Sequence, residues 1–218
     1  MQPPLSCVIF DIDGTIAKTN ELIFASFNHV ISRHLGRAMS PREIVKLFGP
    51  PEEGALSALF GVDRAGALMD ELCDFYQARH EAMASLHTGI DRVLEFLKER
   101  DVPLAVFTGK GTRTTRITLE SLGLSSFFDC VVTGNDVLKH KPHPEGILKV
   151  LERLDAAPER TLMVGDSPAD IAASRAAGVR IASVLWDSYD PETVLASNPE
   201  CVFYTVGEME RWLRARIQ

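Results

Sequence analysis

The chain has 218 residues, of which 45% are hydrophobic and 24% charged, the balance of a globular protein rather than a disordered or collagenous one. Lys plus Arg number 23 against 30 Asp plus Glu, a formal charge of −7, which argues against the broad phosphate-neutralising surface that nucleic acids require. The four cysteines are scattered with no CxxC pair, so neither a disulfide framework nor a structural zinc site is expected, and a reducing, cytoplasmic setting fits.

Residues 1–10 lack a basic n-region and their short apolar run ends at Asp11 and Asp13, so no signal peptide is expected. No apolar stretch of membrane-spanning length follows, and no membrane partner is expected. Cys7-Val8-Ile9-Phe10 is a continuous apolar run of β-formers before a polar, Gly-containing turn, which predicts a buried parallel strand. From 20 to 86 there is only helical patterning: Leu22, Ile23, Phe27, Val30 and Ile31, then Ile44, Val45 and Phe48, then Leu68, Leu72, Phe75 and Tyr76. An all-helical insertion without a strand is predicted here, with Gly49-Pro50-Pro51 as a tight turn and Phe24, Phe27, Leu72, Phe75 and Tyr76 as its small core.

After the insertion, strands and helices alternate. Helices are predicted over 90–100 and 145–154, the second with Pro144 at its first turn. Further buried strands are predicted over 104–107, 130–132, 161–164, 181–185 and 201–204. This alternation implies right-handed βαβ crossovers, hence an α/β fold of Rossmann-like, three-layer type whose site lies at the carboxyl ends of the strands.

Four groups of residues fall at those strand ends. Asp11-Ile12-Asp13-Gly14-Thr15 follows the first strand, where a turn can aim two carboxylates at one ligand; an Asx-turn explains the same residues. Phe107-Thr108-Gly109-Lys110 ends a second strand and offers a hydroxyl and backbone N–H groups to a phosphate, or is an ordinary turn. Lys139-His140-Lys141-Pro142-His143-Pro144 is a basic cluster in which surface solvation suffices for Lys139 and His140. In Gly165-Asp166-Ser167-Pro168-Ala169-Asp170, Ser167 suits an N-cap, Pro168 the first helical position and Asp170 a capping-box acid, with Gly178 closing the helix. Capping leaves Asp166 unexplained.

In this order the four groups resemble the four motifs of the haloacid dehalogenase superfamily, in its phosphatase branch, and the insertion resembles the mobile helical cap of its phosphoglycolate phosphatase-like members. The resemblance implies a core of residues 1–17 and 87–218 and a cap of 18–86. It implies Asp11 as the nucleophile that forms an aspartyl-phosphate, and Asp13 as general acid and then base. It further implies Mg²⁺ held by Asp11, Asp166, the main-chain oxygen of Asp13 and, directly or through a second layer of contacts, Asp170. Thr108, Gly109 and Lys141 would bind the transferring phosphoryl group, with Thr108 and Lys141 counted in the catalytic set.

Lys110 and Arg113 are candidates for a substrate carboxylate or second phosphate, or are solvated first-turn residues. Asn20, Glu21, Arg42, Lys46 and the Gly49-Pro50-Pro51-Glu52 turn are candidate cap contacts, with helix-face solvation the plainer account of Arg42 and Lys46. His80, His87 and His143 read as packing or surface residues. The expected substrate is a small phosphorylated metabolite, such as phosphoglycolate, pyrophosphate or a sugar phosphate, handled by a monomer or homodimer. A β-phosphoglucomutase-like phosphotransferase and a non-catalytic phosphate-binding module are the alternatives.

Overall fold

A computed structural model describes residues 4–217, so the first three residues of the N-terminal reading lie outside it. The chain runs through β1 (Cys7–Phe10), β2 (Ala17–Lys18), α1 (Asn20–Leu35), α2 (Pro41–Val45), α3 (Glu52–Phe60), α4 (Val62–Met83), β3 (Ser85–Leu86) and α5 (Ile90–Lys98). It continues through β4 (Leu104–Phe107), α6 (Thr112–Ser121), β5 (Cys130–Val132), α7 (Glu145–Leu154), β6 (Thr161–Gly165) and α8 (Pro168–Ala177), and ends with β7 (Arg180–Val184), α9 (Pro191–Ala196), β8 (Cys201–Phe203) and α10 (Val206–Arg214). The predicted strands are present with ends shifted by one residue at β6, β7 and β8. Helix α5 stops at Lys98 because the chain turns at Asp101, whose φ is 51°.

Six strands form one parallel sheet in the order β5-β4-β1-β6-β7-β8. Side chains alternate between the two faces of a strand, and both faces here are apolar. Val8 and Phe10 of β1 join Val93, Leu94 and Leu97 of α5 and Met209 and Leu213 of α10. Cys7 and Ile9 join Ile147 and Val150 of α7 and Ile171 of α8. Burial on both faces is why these strands read as unbroken apolar runs.

The order also sets the position of the site. From β1 the chain builds β4 and β5 on one side and β6, β7 and β8 on the other, so the carboxyl end of β1 is a topological switch point with a natural crevice. Helix α7 comes so close to β4 that a Cβ on Gly146 would lie 2.0 Å from Cε2 of Phe107.

Helices α1 to α4 share their own apolar cluster, in which Leu22, Phe27, Val30, Ile31, Ile44, Leu56, Leu68, Leu72 and Tyr76 are buried. Ile117 of α6 joins it, and the Tyr76 hydroxyl meets Thr118 Oγ1 at 2.9 Å. Two expectations are corrected here. The insertion is not free of strand: Ser85-Leu86 pairs antiparallel with Ala17-Lys18 where the chain enters and leaves the helical region. Two residues per strand are too few to show a period in sequence. Of the predicted insertion core, Phe27, Leu72 and Tyr76 are buried and Phe24 packs half-buried against them, whereas Phe75 is only half-buried; Phe48, read as part of a helical period, is exposed because α2 ends before it.

Candidate active site

The three adjacent strands β4, β1 and β6 deliver their following residues to one place. Asp11 leaves β1 with its N–H bonded to Val164 O, and its Oδ1 accepts the Ile12 N–H at 2.7 Å. Gly14, at φ +76°, turns the chain so that Thr15 Oγ1 donates to Asp166 Oδ1 at 3.0 Å. A Cβ on Gly14 would stand 2.6 Å from Asp166 Oδ2, so the close approach of β1's turn to the end of β6 requires glycine. Ser188 Oγ donates to Asp166 O at 2.6 Å, and Trp186 Nε1 donates to Thr15 O at 3.1 Å.

Helix α8 starts as its sequence predicts. Ser167 is its N-cap, Pro168 its first residue, Asp170 completes the capping box and Gly178 closes it at φ 72°. Capping uses only one side of the Asp170 carboxylate: Oδ2 accepts from Ser167, while Oδ1 lies 2.7 Å from Lys141 Nζ. That ammonium is also 3.0 Å from Asp11 Oδ2 and stands 4.6 Å over the Phe107 ring. Lys141 is thus a clamp between two carboxylates and no solvated surface residue, whereas the solvation reading suffices for its sequence neighbours Lys139 and His140.

Asp11, Asp166 and Asp170 present oxygens that all lie within 4.8 Å of one another. Burial pushes the Asp11 carboxyl up to about 6, against the pull of Lys141 and with the help of Asp170 and Asp13. Asp166 is raised well above the carboxylate range by burial and then by Asp11 and Asp170. Burial opposes the charge on Lys141, but Asp11 and Asp170 outweigh it and raise its pKa. Three crowded carboxylates with one ammonium leave buried negative charge uncompensated, and a hard divalent cation fits that donor set. Asp13 does not join the cluster with its side chain.

The Asp13 carboxylate turns the other way. It accepts from Thr19 Oγ1 at 2.5 Å and meets Lys110 Nζ at 3.2 Å through both oxygens. Lys110 is buried and lies 4.7 Å over the Tyr76 ring, with Glu52 Oε1 at 3.9 Å. Burial disfavours its charge, yet Asp13, Tyr76 and Glu52 together raise its pKa. Thr108 is buried and its Oγ1 accepts the Lys110 N–H at 3.2 Å.

Asp11, Asp13, Thr108, Gly109, Lys110, Lys141 and Asp166 all border one cavity of about 370 Å³, whereas Asp170 is buried and not part of its lining. Glu52 borders it too, whereas Arg42 and Lys46 are exposed and outside its lining, as is Glu21. Arg113 does not face the cleft, because Asp70 of α4 holds it at 2.7 Å. Asn20 meets the core instead, donating to Asp187 O at 3.2 Å and accepting from the Tyr189 hydroxyl. His80 and His87 are buried, and His143 Nδ1 accepts the Glu145 N–H. Thr19, Ser188 and Tyr189 contact the site without being marked by the sequence; Ser188 and Tyr189 sit in a loop with no motif or period to mark them.

Among the described residues no helix is long and apolar enough to cross a membrane. The sequence model of the family described as "Haloacid dehalogenase-like hydrolase" matches residues 8–184. The chain is 34% identical over 210 residues, 96% of this chain and 94% of the other, to a protein of Caldanaerobacter subterraneus subsp. tengcongensis named provisionally as the pyrophosphatase PpaX. It is 32% identical over 205 residues, 94% and 95% of the two chains, to the pyrophosphatase PpaX of Anoxybacillus flavithermus. A crystal structure described as a predicted phosphoglycolate phosphatase of Haemophilus somnus superposes with a TM-score of 0.83 at 20% identity, covering 95% and 97% of the chains, a likeness of fold.

Proposed function

From the premise that this chain belongs to the haloacid dehalogenase-like hydrolase family and is a phosphatase of it, we propose that it is Mg²⁺-dependent and hydrolyses a small phosphorylated metabolite through an aspartyl-phosphate on Asp11. The observation that carries this reading is the placement of Asp11 and Asp13. They follow the central strand and both border one cavity, each against its own buried lysine.

Asp11 Oδ attacks phosphorus, the bond from phosphorus to the leaving oxygen breaks, and Asp13 delivers a proton to that oxygen. Asp13 then takes a proton from the water that opens the aspartyl-phosphate. Lys141 counters charge on the nucleophile and the transferring group, and Thr108 with the Gly109 N–H orients the phosphoryl oxygens. Asp11, Asp166, the Asp13 carbonyl and Asp170 are the residues to hold the cation. When bound, the ion supplies positive charge that lets an anionic nucleophile meet an anionic phosphoryl group.

The helical region 18–86 acts in this proposal as a cap over a core of 1–17 and 87–218, excluding water from the cavity. The panel to be assayed holds phosphoglycolate, sugar phosphates and pyrophosphate, the last supported by the relatives named as pyrophosphatases. Phosphate release is expected to require Mg²⁺, to stop with EDTA and to vanish in Asp11→Asn. Full activity in Asp11→Asn overturns the nucleophile assignment. With a hexose 1-phosphate and a bisphosphate activator, isomer forming faster than free phosphate overturns hydrolysis in favour of a mutase.

A further inference from the structure

We propose that the cleft selects a phosphate ester whose leaving group is uncharged and largely apolar over one that carries a second phosphate or a carboxylate, and that Glu52 sets this preference. The inference rests on the phosphatase reading and names its substrate class.

Much of the lining is apolar: Ile23 and Phe27 of α1, Val45, Leu47 and Phe48 of the insertion, and the ring of Tyr189 of the core. Phe48 and Tyr189 are 38% and 37% exposed at the mouth, with ring centroids 5.9 Å apart in an edge-on pair. Phe24 meets the Tyr189 ring at 5.7 Å. The Tyr189 hydroxyl, the polar group on these rings, gives its proton to Asn20 Oδ1. Aromatic surface converging at the mouth of a cleft gains by covering an apolar ligand and offers an anion nothing.

Charge points the same way. The lining holds Asp11, Asp13, Glu52, Asp166 and Asp190 against Lys110 and Lys141. Lys141 is taken by Asp11 and Asp170, and Lys110 by Asp13 and Glu52. Arg113 is held away by Asp70. No cation bordering the leaving-group side is therefore free of a carboxylate among the described residues.

Glu52 removes one further anion site. A helix N-terminus attracts an anion through its free N–H groups, and Gly111, the N-cap of α6, directly follows Lys110 of the cavity lining. Glu52 Oε2 accepts the Gly111 N–H at 2.7 Å and Oε1 accepts from Thr114 Oγ1 at 2.6 Å. The protein's own carboxylate thus fills the position where a second anionic group of a substrate would dock. It also leaves Lys110 shared between two acids.

The test compares benzyl phosphate with pyrophosphate and phosphoglycolate, and the binding of benzylphosphonate with that of methylenediphosphonate and phosphonoacetate by calorimetry, all with Mg²⁺. Benzyl phosphate is expected to have at least about tenfold higher kcat/KM, and benzylphosphonate to bind at least about tenfold tighter, each about 1.4 kcal/mol. Phe48→Ala is expected to narrow both ratios by weakening the benzyl ligands, and Glu52→Gln by strengthening the doubly anionic ones. Pyrophosphate or methylenediphosphonate matching the benzyl compounds in the wild type overturns this inference and leaves the phosphatase reading standing. Absence of all hydrolysis overturns the phosphatase reading, and the phosphonate ratios still decide this one.

Discussion

Lys110 and Asp13, 97 positions apart in the chain, meet with the lysine Nζ 3.2 Å from both carboxylate oxygens. The ammonium is almost wholly buried and Glu52 lies 3.9 Å away on its other side. Removing one member of a buried ion cluster leaves the others uncompensated, at a cost of about 3–5 kcal/mol. Lys110→Met is expected to lower unfolding free energy by about 3 kcal/mol in urea titrations, and adding Glu52→Gln to recover part of it. A single variant within about 0.5 kcal/mol of wild type would show that the cluster behaves as an exposed pair.

The proposed proton donor has a signature in leaving-group dependence. Asp13→Asn is expected to slow esters of poor leaving groups, such as alkyl phosphates, by about 10²–10⁴-fold. p-Nitrophenyl phosphate, whose leaving group departs without a proton, should suffer much less. Steady-state rates across a series of leaving groups check this, and equal losses across the series contradict the general-acid role.

Gly146 and Phe107 make the next prediction. A methyl at Gly146 would overlap the Phe107 ring, and that ring lies directly under the Lys141 ammonium. Gly146→Ala is expected to cost about 1–3 kcal/mol through overpacking and to lower kcat because the ring carries Lys141 with it. Thermal unfolding and initial rates on one preparation test both, and a less stable variant with unchanged kcat would separate the packing from the site.

His87 predicts an acid limit to stability. It is buried with Nε2 unpartnered by hydrogen bonds and Asp187 Oδ2 3.6 Å away, and burial with the nearby Lys18 charge pushes its pKa down from 6.5 to about 4. The burial of the ring outweighs the Asp187 carboxylate, whose own pKa is raised by burial. A depressed histidine pKa adds stability above pH 6.5 that is lost as pH falls through about 4. Unfolding measured from pH 7 to 4 should lose on the order of 2 kcal/mol from this group, and His87→Phe should flatten that slope. An unchanged slope in the variant would place the acid sensitivity elsewhere.

Several levels of this molecule were legible in order. The parallel sheet was, because strands buried on both faces must be apolar at every position, as Cys7-Val8-Ile9-Phe10 and Leu104-Ala105-Val106-Phe107 are. The start of α8 was, because Ser167, Pro168 and Asp170 satisfy its N-terminus through neighbours three residues apart. The β2–β3 pair was not, because two-residue strands have no period and Ala17 and Leu86 meet only across the whole helical insertion.

Sequence alone determined which chemistry stands at the strand ends: carboxylates after β1 and β6, a hydroxyl after β4, a lysine beyond β5. Those identities depend on local position and need no partner to be read. Which carboxylate each lysine serves was decided only in three dimensions, where Lys141 takes Asp11 and Asp170 and Lys110 takes Asp13 and Glu52. Charge pairing depends on distance and burial, and both arise from how β1, β4 and β6 are ordered in the sheet and how the insertion settles on α6.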